Sequence, residues 1–269
     1  MSLGTKSAPA AIAAAASSIY EAYQPSRTCA PIRSGLVEGD IDGAYAVQEA
    51  NTSRWISEGR RLVGRKIGMT SRIVQEAAGI YQPDYGMLFA DMEVLSGEIV
   101  PLSSLKQPKA EGEVAFVVER AIENPDATLV EVMKAVAFVL PALEIVDSRI
   151  TNFDCNILDT IADNASSGLY ALGVKPMKLS DIDLLLCGMV LERNGSAVAF
   201  GTGAACLGHP LHSLRWLARK MASVGRPLQA GDTVLSGALG PIVTMQPGDF
   251  VETKISGLGS VSIGFGTAA

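Results

Sequence analysis

The chain has 269 residues, 48% hydrophobic and 19% charged, with a net charge of −6, a pI of about 5.1 and a mean hydropathy of +0.26. That length buries a large core in one large domain or two small ones, and the acidic balance excludes a basic surface for nucleic acid. Four scattered cysteines (Cys29, Cys155, Cys187, Cys206) without a C-x-x-C pair point to a reducing, cytoplasmic compartment; two histidines, His209 and His212, are too few for a histidine-rich zinc site.

Residues 1–60 read as an N-terminal helical segment and 61–269 as a β-rich catalytic domain. The Ala-rich stretch from Ala8 to Ser18 runs into Tyr20-Glu21-Ala22-Tyr23 and is too weakly apolar for a signal peptide, so a helix is expected. A loop, Pro25 to Gly39, precedes Asp40, an N-cap for a helix running toward Glu58-Gly59. No stretch is long enough to span a membrane. Leu62 to Ser71 predicts a short strand breaking on glycine and hydroxyl residues, followed by a brief helix, Arg72 to Ala78. Pro83-Asp84-Tyr85-Gly86 is turn chemistry and places Asp84 on a loop.

The segment Pro108 to Val118 predicts a strand with Glu111 and Glu113 on one face, roughly 7 Å apart along the backbone. Ala115 and Val117 continue that face, and Val114, Phe116 and Val118 line the other, so the strand reads as buried. After a helix from Leu129 to about Val136, Phe138 to Arg149 repeats the anomaly with Glu144 inside a continuous apolar run. Two arrangements satisfy such carboxylates. A solvated face for Glu111 and Glu113, with Arg149 pairing Glu144, is the ordinary one. A hard divalent cation, Mg²⁺ or Mn²⁺, held by all three is the other, because buried charges are paired or bound to metal.

Thr151 to Leu172 is polar and small-residue with no clear periodicity, as in a loop lining a site. Leu184 to Leu191 and Ala197 to Phe200 flank Asn194-Gly195, a hairpin signal. His209 to Val224 predicts an amphipathic helix with Pro210 in its first turn and Gly225 as its stop. Strands follow the turns at Gly231-Asp232 and Gly248-Asp249, with both aspartates as turn caps, and Gly259 to Phe265 alternates cleanly. No G-x-G-x-x-G joins a strand to a helix and no G-x-S-x-G is present, so neither a dinucleotide site nor a nucleophile elbow is supported.

The ordered set Gly64-Arg65-Lys66-Ile67-Gly68-Met69-Thr70-Ser71, Pro83-Asp84-Tyr85-Gly86, Glu111-Gly112-Glu113, Pro141 to Arg149, Asp159 to Ser167, Gly208-His209-Pro210, Leu235-Ser236-Gly237 and Gly257-Leu258-Gly259 resembles the hydratase/decarboxylase branch of the fumarylacetoacetate hydrolase superfamily. Within that branch it is similar to the 2-keto-4-pentenoate hydratases of aromatic meta-cleavage pathways. The resemblance implies an α+β fold, a mixed β-rich roll with flanking helices, assembled into homo-oligomers and possible complexes with a pathway enzyme. It implies Mg²⁺ or Mn²⁺ on Glu111, Glu113 and Glu144. Family members often carry Ala or Val where Gly112 stands.

The implied reaction adds water to a 2-hydroxy-2,4-dienoate to give a 4-hydroxy-2-oxo acid, with Lys66 and Asp84 as acid/base groups. The resemblance also implies Ser167 and Ser236 as holders of the substrate carboxylate, with Asp163 and Asn164 orienting ligands from behind. The sister activity, a 4-oxalocrotonate-type decarboxylation, uses the same cation and the same chelating end of its substrate. Asp84 favours hydration, since a water-activating carboxylate is unnecessary for expelling CO₂, whereas Gly208-His209-Pro210 is a decarboxylase spelling. Acylpyruvate hydrolysis would require a His–Glu dyad, and no histidine precedes His209. A silent partner subunit is the non-enzymatic reading, and the intact acidic and basic set argues against it.

Overall fold

The structure is a computed structural model that describes residues 6–78 and 80–267. Helix α1 (Pro9–Ala22) begins with Pro in its first turn, where a missing N–H leaves no bond unmade. Helix α2 (Ile41–Ser57) begins where the Asp40 carboxylate accepts from Gly43 N at 3.0 Å. Ile19, Ala44 and Val47 of these helices close over Ile150, Leu158 and Ile161, a distant part of the chain.

The chain then forms β1 (Leu62–Gly68), α3 (Arg72–Ala78), β2 (Asp84–Phe89) and two short strands, β3 (Glu93–Val94) and β4 (Ile99–Val100). Two long strands follow, β5 (Lys109–Val118) and β6 (Val136–Val146), linked through α4 (Leu129–Lys134), whose start is capped reciprocally by Thr128 and Glu131. Next come α5 (Ile157–Ala162), β7 (Ser167–Leu172) and the hairpin of β8 (Gly188–Arg193) with β9 (Ser196–Thr202). The chain ends with α6 (Pro210–Ser223), β10 (Thr233–Leu235), β11 (Val243–Thr244), β12 (Phe250–Ile255) and β13 (Gly259–Phe265).

Eight strands make one sheet, in the order β2-β1-β10-β5-β6-β7-β3 with β11 also paired to β5; five make the other, β4-β13-β12-β8-β9. At the centre of the larger sheet β5 and β6 run antiparallel, Glu111 opposite Glu144 and Glu113 opposite Ala142. Residues directly opposite in an antiparallel pair share a face, so the three glutamates project the same way. The smaller sheet covers the other face, with β8 against β5 and β12 and β13 against β6. Gly112 lies at that contact. A Cβ there would stand 2.4 Å from Thr253 Oγ1 and 3.1 Å from Met189 Cγ, which accounts for glycine between the two glutamates.

Pro141 occupies the middle of β6 without breaking the ladder to β5. Its carbonyl accepts from Gly173 N at 2.9 Å on the β7 side, where the chain after Leu172 arches away before Met177 rejoins at Val139. The missing N–H falls where no ladder bond is needed.

The α+β expectation holds, and so do the caps: Asp232 accepts from Gln229 N and Asp249 from Gln246 N, each at 2.8 Å. Four local expectations are corrected. Asp84 is the first residue of β2 rather than a loop residue, because the strand pairing with β1 extends to Gly68 opposite Asp84. The stretch 151–172 contains α5 and β7, and the Asn156 side chain starts that helix by accepting from Leu158 N and Asp159 N. Leu184 to Cys187 is a turn, since Asp183 Oδ1 accepts from Leu185 N and Leu186 N. The helix after Thr128 ends at Lys134, and Val136 already belongs to β6.

Gly112→Val is expected to destabilise the protein by about 1–3 kcal/mol through overpacking. Thr253→Ala in the same chain should recover part of that loss, because Thr253 Oγ1 is the obstructing atom and has no hydrogen-bond partner. Urea unfolding of the single and double variants measures the coupling; strictly additive losses would refute a steric contact.

Candidate active site

Strand register gathers the site. Lys66 stands opposite Gly86 on one side and Leu235 on the other, and Leu235 stands opposite Ala115. Each pairing preserves the face, and side chains alternate along a strand. Asp84, Lys66, Glu113, Glu111 and Glu144 therefore project from one face of the five-strand run β2-β1-β10-β5-β6. One oxygen from each of Glu111, Glu113 and Glu144 lies within 4.8 Å of the others.

Glu113 and Glu144 are buried, and Asp84 is 0% exposed. Glu113 Oε2 accepts from Gly237 N at 2.8 Å, while its Oε1 is buried with no partner. Glu144 Oε1 lies 2.9 Å from Lys66 Nζ, and Glu144 Oε2 has no donor. No side chain is bonded to either Asp84 oxygen. Arg149, expected in one reading to neutralise Glu144, does not: its guanidinium binds Asp163, with further bonds to Asp163 O and Ser167 O. The reason is positional, since β6 ends at Val146 and strand alternation no longer relates Glu144 to Arg149.

Removal from water raises the pKa values of Asp84, Glu111 and Glu113. Burial, then the neighbouring Glu144 charge, pushes Glu111 up to about 7, and the same two causes hold Glu113 well above the ordinary range. Burial pushes Asp84 up to about 6 against the pull of Lys66. Burial alone would lower Lys66, but Glu144, Asp84 and Glu111 together outweigh it and keep the ammonium charged. Four carboxylates thus share the face with one buried cation, Lys66. Partnerless oxygens on Glu113 and Glu144, with a third carboxylate in reach, fit a hard divalent ion bound through oxygen alone.

Both candidate serines are buried and already bonded. Ser236 Oγ accepts from Val114 N at 3.1 Å and donates to Gly237 O at 2.9 Å, tying the end of β10 to β5 where Gly237 N meets Glu113. Ser167 Oγ donates to Asn164 O at 2.7 Å, and a Cβ on Gly86 would lie 2.6 Å from that hydroxyl, so Ser167 stands over the face that carries Lys66 and Asp84. Asn164 takes Met87 N (2.6 Å) and gives to Met87 O (2.9 Å), fastening its turn to β2. Asn164, Ala165 and Ser166 all have left-handed φ, 51–55°. Arg149 holds that turn in place through Asp163, whose oxygens also take Ser148 and Ser166. Asp163 and Asn164 thus buttress a wall of the site. The Gly237 amide went unforeseen because backbone donors leave no mark in residue identity.

A carboxyl whose folded-state pKa lies above its unfolded value favours the folded state at low pH and loses that contribution as pH rises through the folded pKa. With EDTA present, Tm is expected to fall from about pH 5 to about pH 8, across the raised values of Asp84 and Glu111. Added Mg²⁺ should raise Tm more at the higher pH, where the carboxylates are ionised. Equal Mg²⁺ effects at both pH values, measured by thermal melts, would count against these carboxylates as the binding site.

A family description for the fumarylacetoacetate hydrolase C-terminal region matches residues 67–264. The TodF product hydratase of Pseudomonas putida is 54% identical over 258 residues, covering 96% of each chain. The 2-keto-4-pentenoate hydratase 1 of Dechloromonas aromatica is 52% identical over 249 residues, 93% of this chain and 95% of that one. Among solved structures, the 4-oxalocrotonate decarboxylase from Pseudomonas putida G7, complexed with magnesium and adipate, superposes with a TM-score of 0.92 at 34% identity over 96% of this chain and 98% of that one. A second structure of that decarboxylase, with calcium and acetate, gives 0.89 at 32%, with the same coverage of both chains. Matching family, clustered carboxylate trio and mixed sheets agree: the chain belongs to the fumarylacetoacetate hydrolase family.

Proposed function

We propose that this protein is a hydro-lyase that adds water to a 2-hydroxy-2,4-dienoate of the 2-oxo-4-pentenoate type, giving a 4-hydroxy-2-oxo acid in the breakdown of aromatic compounds. The carrying observation is Asp84, fully buried, free of side-chain partners and on the same face as Lys66 and the glutamate trio. The hydratase names of the most similar relatives support the same reading. Glu111, Glu113 and Glu144 would hold Mg²⁺ or Mn²⁺, which when bound supplies Lewis-acid polarisation of the substrate's 2-oxygen.

The chain's own groups divide the proton work. Protonation at C5 of the dienol gives the α,β-unsaturated ketone, and water then adds at C4 while C3 takes a proton. Lys66, kept charged by three carboxylates, opposes the negative charge that develops on the oxygen during these shifts. Asp84, with its pKa near 6, orients the water and accepts its proton. Buried walls on β1, β2 and β10 exclude bulk water from the enol. Ser167 and Ser236 belong to the proposal as supports for the substrate carboxylate, through the Asn164 turn and the Gly237 amide that they hold in place.

Assembly into homo-oligomers, in the cytoplasm and in complex with a pathway enzyme, completes the reading. It is supported by large apolar side chains left outside, Val174, Leu186, Ile99 and Phe200, by four free cysteines, and by the absence, among the described residues, of any helix long and apolar enough to cross a membrane. Decarboxylation is the second reading, favoured by the close superposition on the decarboxylase.

Two substrates separate them. With Mg²⁺, 2-hydroxypenta-2,4-dienoate should lose its diene absorbance and yield the hydroxy-oxo acid; release of CO₂ from 4-oxalocrotonate with no hydration of the dienoate would transfer the assignment to the decarboxylase reading. Asp84→Asn is expected to lower kcat roughly 10²–10⁴-fold while leaving Mg²⁺ affinity near the native value. Glu113→Gln should instead weaken Mg²⁺ binding in calorimetry.

A further inference from the structure

Cys206 is fully buried in the turn before α6, and the proton work described above does not involve it. Its backbone is fixed on both sides: Cys206 N gives to Gly203 O at 3.1 Å, and its carbonyl takes His209 N at 2.8 Å. The next residue, Leu207, gives its N–H to Thr70 O at 2.9 Å. Thr70 in turn packs on Gly237 so closely that a Cβ there would stand 2.3 Å from Thr70 Oγ1. The turn that carries the thiol is thus tied to the residue that meets Glu113.

The sulfur sits 3.1 Å from Ser236 O and 3.5 Å from Ser213 Oγ. Ser213 Oγ gives its own proton to Pro210 O, and the carbonyl is the nearer acceptor, so the S–H points to Ser236 O. Burial pushes the thiol pKa up to about 12, which keeps it a donor at neutral pH. Among the described residues no other donor reaches that carbonyl. Ser236 O and Gly237 N belong to one planar trans peptide group and point in opposite directions. Cys206 therefore holds one end of the plane whose other end gives Gly237 N–H to Glu113 Oε2 at 2.8 Å. Gly237 has a φ of 95°, and a glycine gives such a plane room to swing. A bond at the carbonyl limits that swing and polarises the N–H across the amide.

We propose that Cys206 is a positioning residue for the metal centre: its thiol orients the Ser236–Gly237 peptide so that Glu113 keeps Oε2 on the amide and offers its partnerless Oε1 to the cation. The proposal rests on the reading that Glu111, Glu113 and Glu144 hold a divalent ion. It extends the support of that ion from β5 to the turn before α6, a distant part of the chain.

Calorimetric titration with Mg²⁺ and hydrogen exchange at the Gly237 amide, followed by NMR without metal, test it together. Cys206→Ala removes the donor. Cys206→Ser takes away nearly the same volume and keeps a donor, so the pair separates hydrogen bonding from packing. Cys206→Ala is expected to weaken Mg²⁺ binding about 10–100-fold, and to speed exchange at Gly237 about tenfold or more. Cys206→Ser should hold both quantities within about threefold of the native values, a rescue that a purely space-filling role would not produce. Should Cys206→Ala fail to fold, Cys206→Val removes the donor without leaving a cavity and is read in its place. Native Mg²⁺ affinity in the donorless variant overturns the assignment, as do equal losses in Cys206→Ala and Cys206→Ser. If the native protein binds no Mg²⁺, the cation reading fails instead, and exchange at Gly237 alone still decides on Cys206.

Discussion

Confinement of like charge governs this molecule. Glu111, Glu113, Glu144 and Asp84 share one sheet face with a single buried ammonium, Lys66, and three of the four carboxylates are out of contact with solvent. In water such groups would spread apart; on a hydrogen-bonded sheet they cannot, because register dictates their separation. The face is left with either bound protons or a bound cation. The raised pKa values of Asp84 and Glu111 describe the first state, and the partnerless oxygens of Glu113 and Glu144 make room for the second. The proposed chemistry exploits that unrest, since a carboxyl with a pKa near 6 exchanges protons readily at neutral pH.

Around this face the rest of the structure works as a mould. The smaller sheet presses on the back of β5 closely enough to forbid a side chain at Gly112, which stiffens the strand between two of the glutamates. Opposite, the left-handed turn Asn164–Ser166 forms a wall, bonded to β2 by Asn164 and held by the buried Arg149–Asp163 pair. Breaking one member of such a pair is far more disruptive than never having had it, because a charge remains buried alone. The clamp thus makes the wall sensitive to changes at some remove from the carboxylates.

Much of this was legible in residue order. The E-x-E strand showed itself by apolar residues on both sides of its glutamates, and Glu144 by a lone charge in an apolar run; both carry a local signal that alternation makes readable. Asp84 was found as a residue but misplaced as an element, since Pro83 and Gly86 write a turn although only Pro83 stands outside the strand. Gly86 is there for the close approach of Asn164 O and Ser167 Oγ, a reason that lies in tertiary contact. The Arg149 assignment failed likewise: which carboxylate an arginine finds beyond the end of a strand depends on how the following loop returns, and periodicity is silent on that.

Pro141 has an effect out of proportion to its place among neutral residues. An imino nitrogen is tolerated in an interior strand only where the adjoining chain bows outward, as it does between Leu172 and Met177. Sliding β6 by two residues would set that ring against a ladder bond of β7 in one direction and against the Val139–Met177 bond in the other, and sliding it by one would aim Glu144 into the greasy seam between the sheets. The proline acts as an alignment pin: it allows the chain one seating of β6, the seating in which all three acids meet.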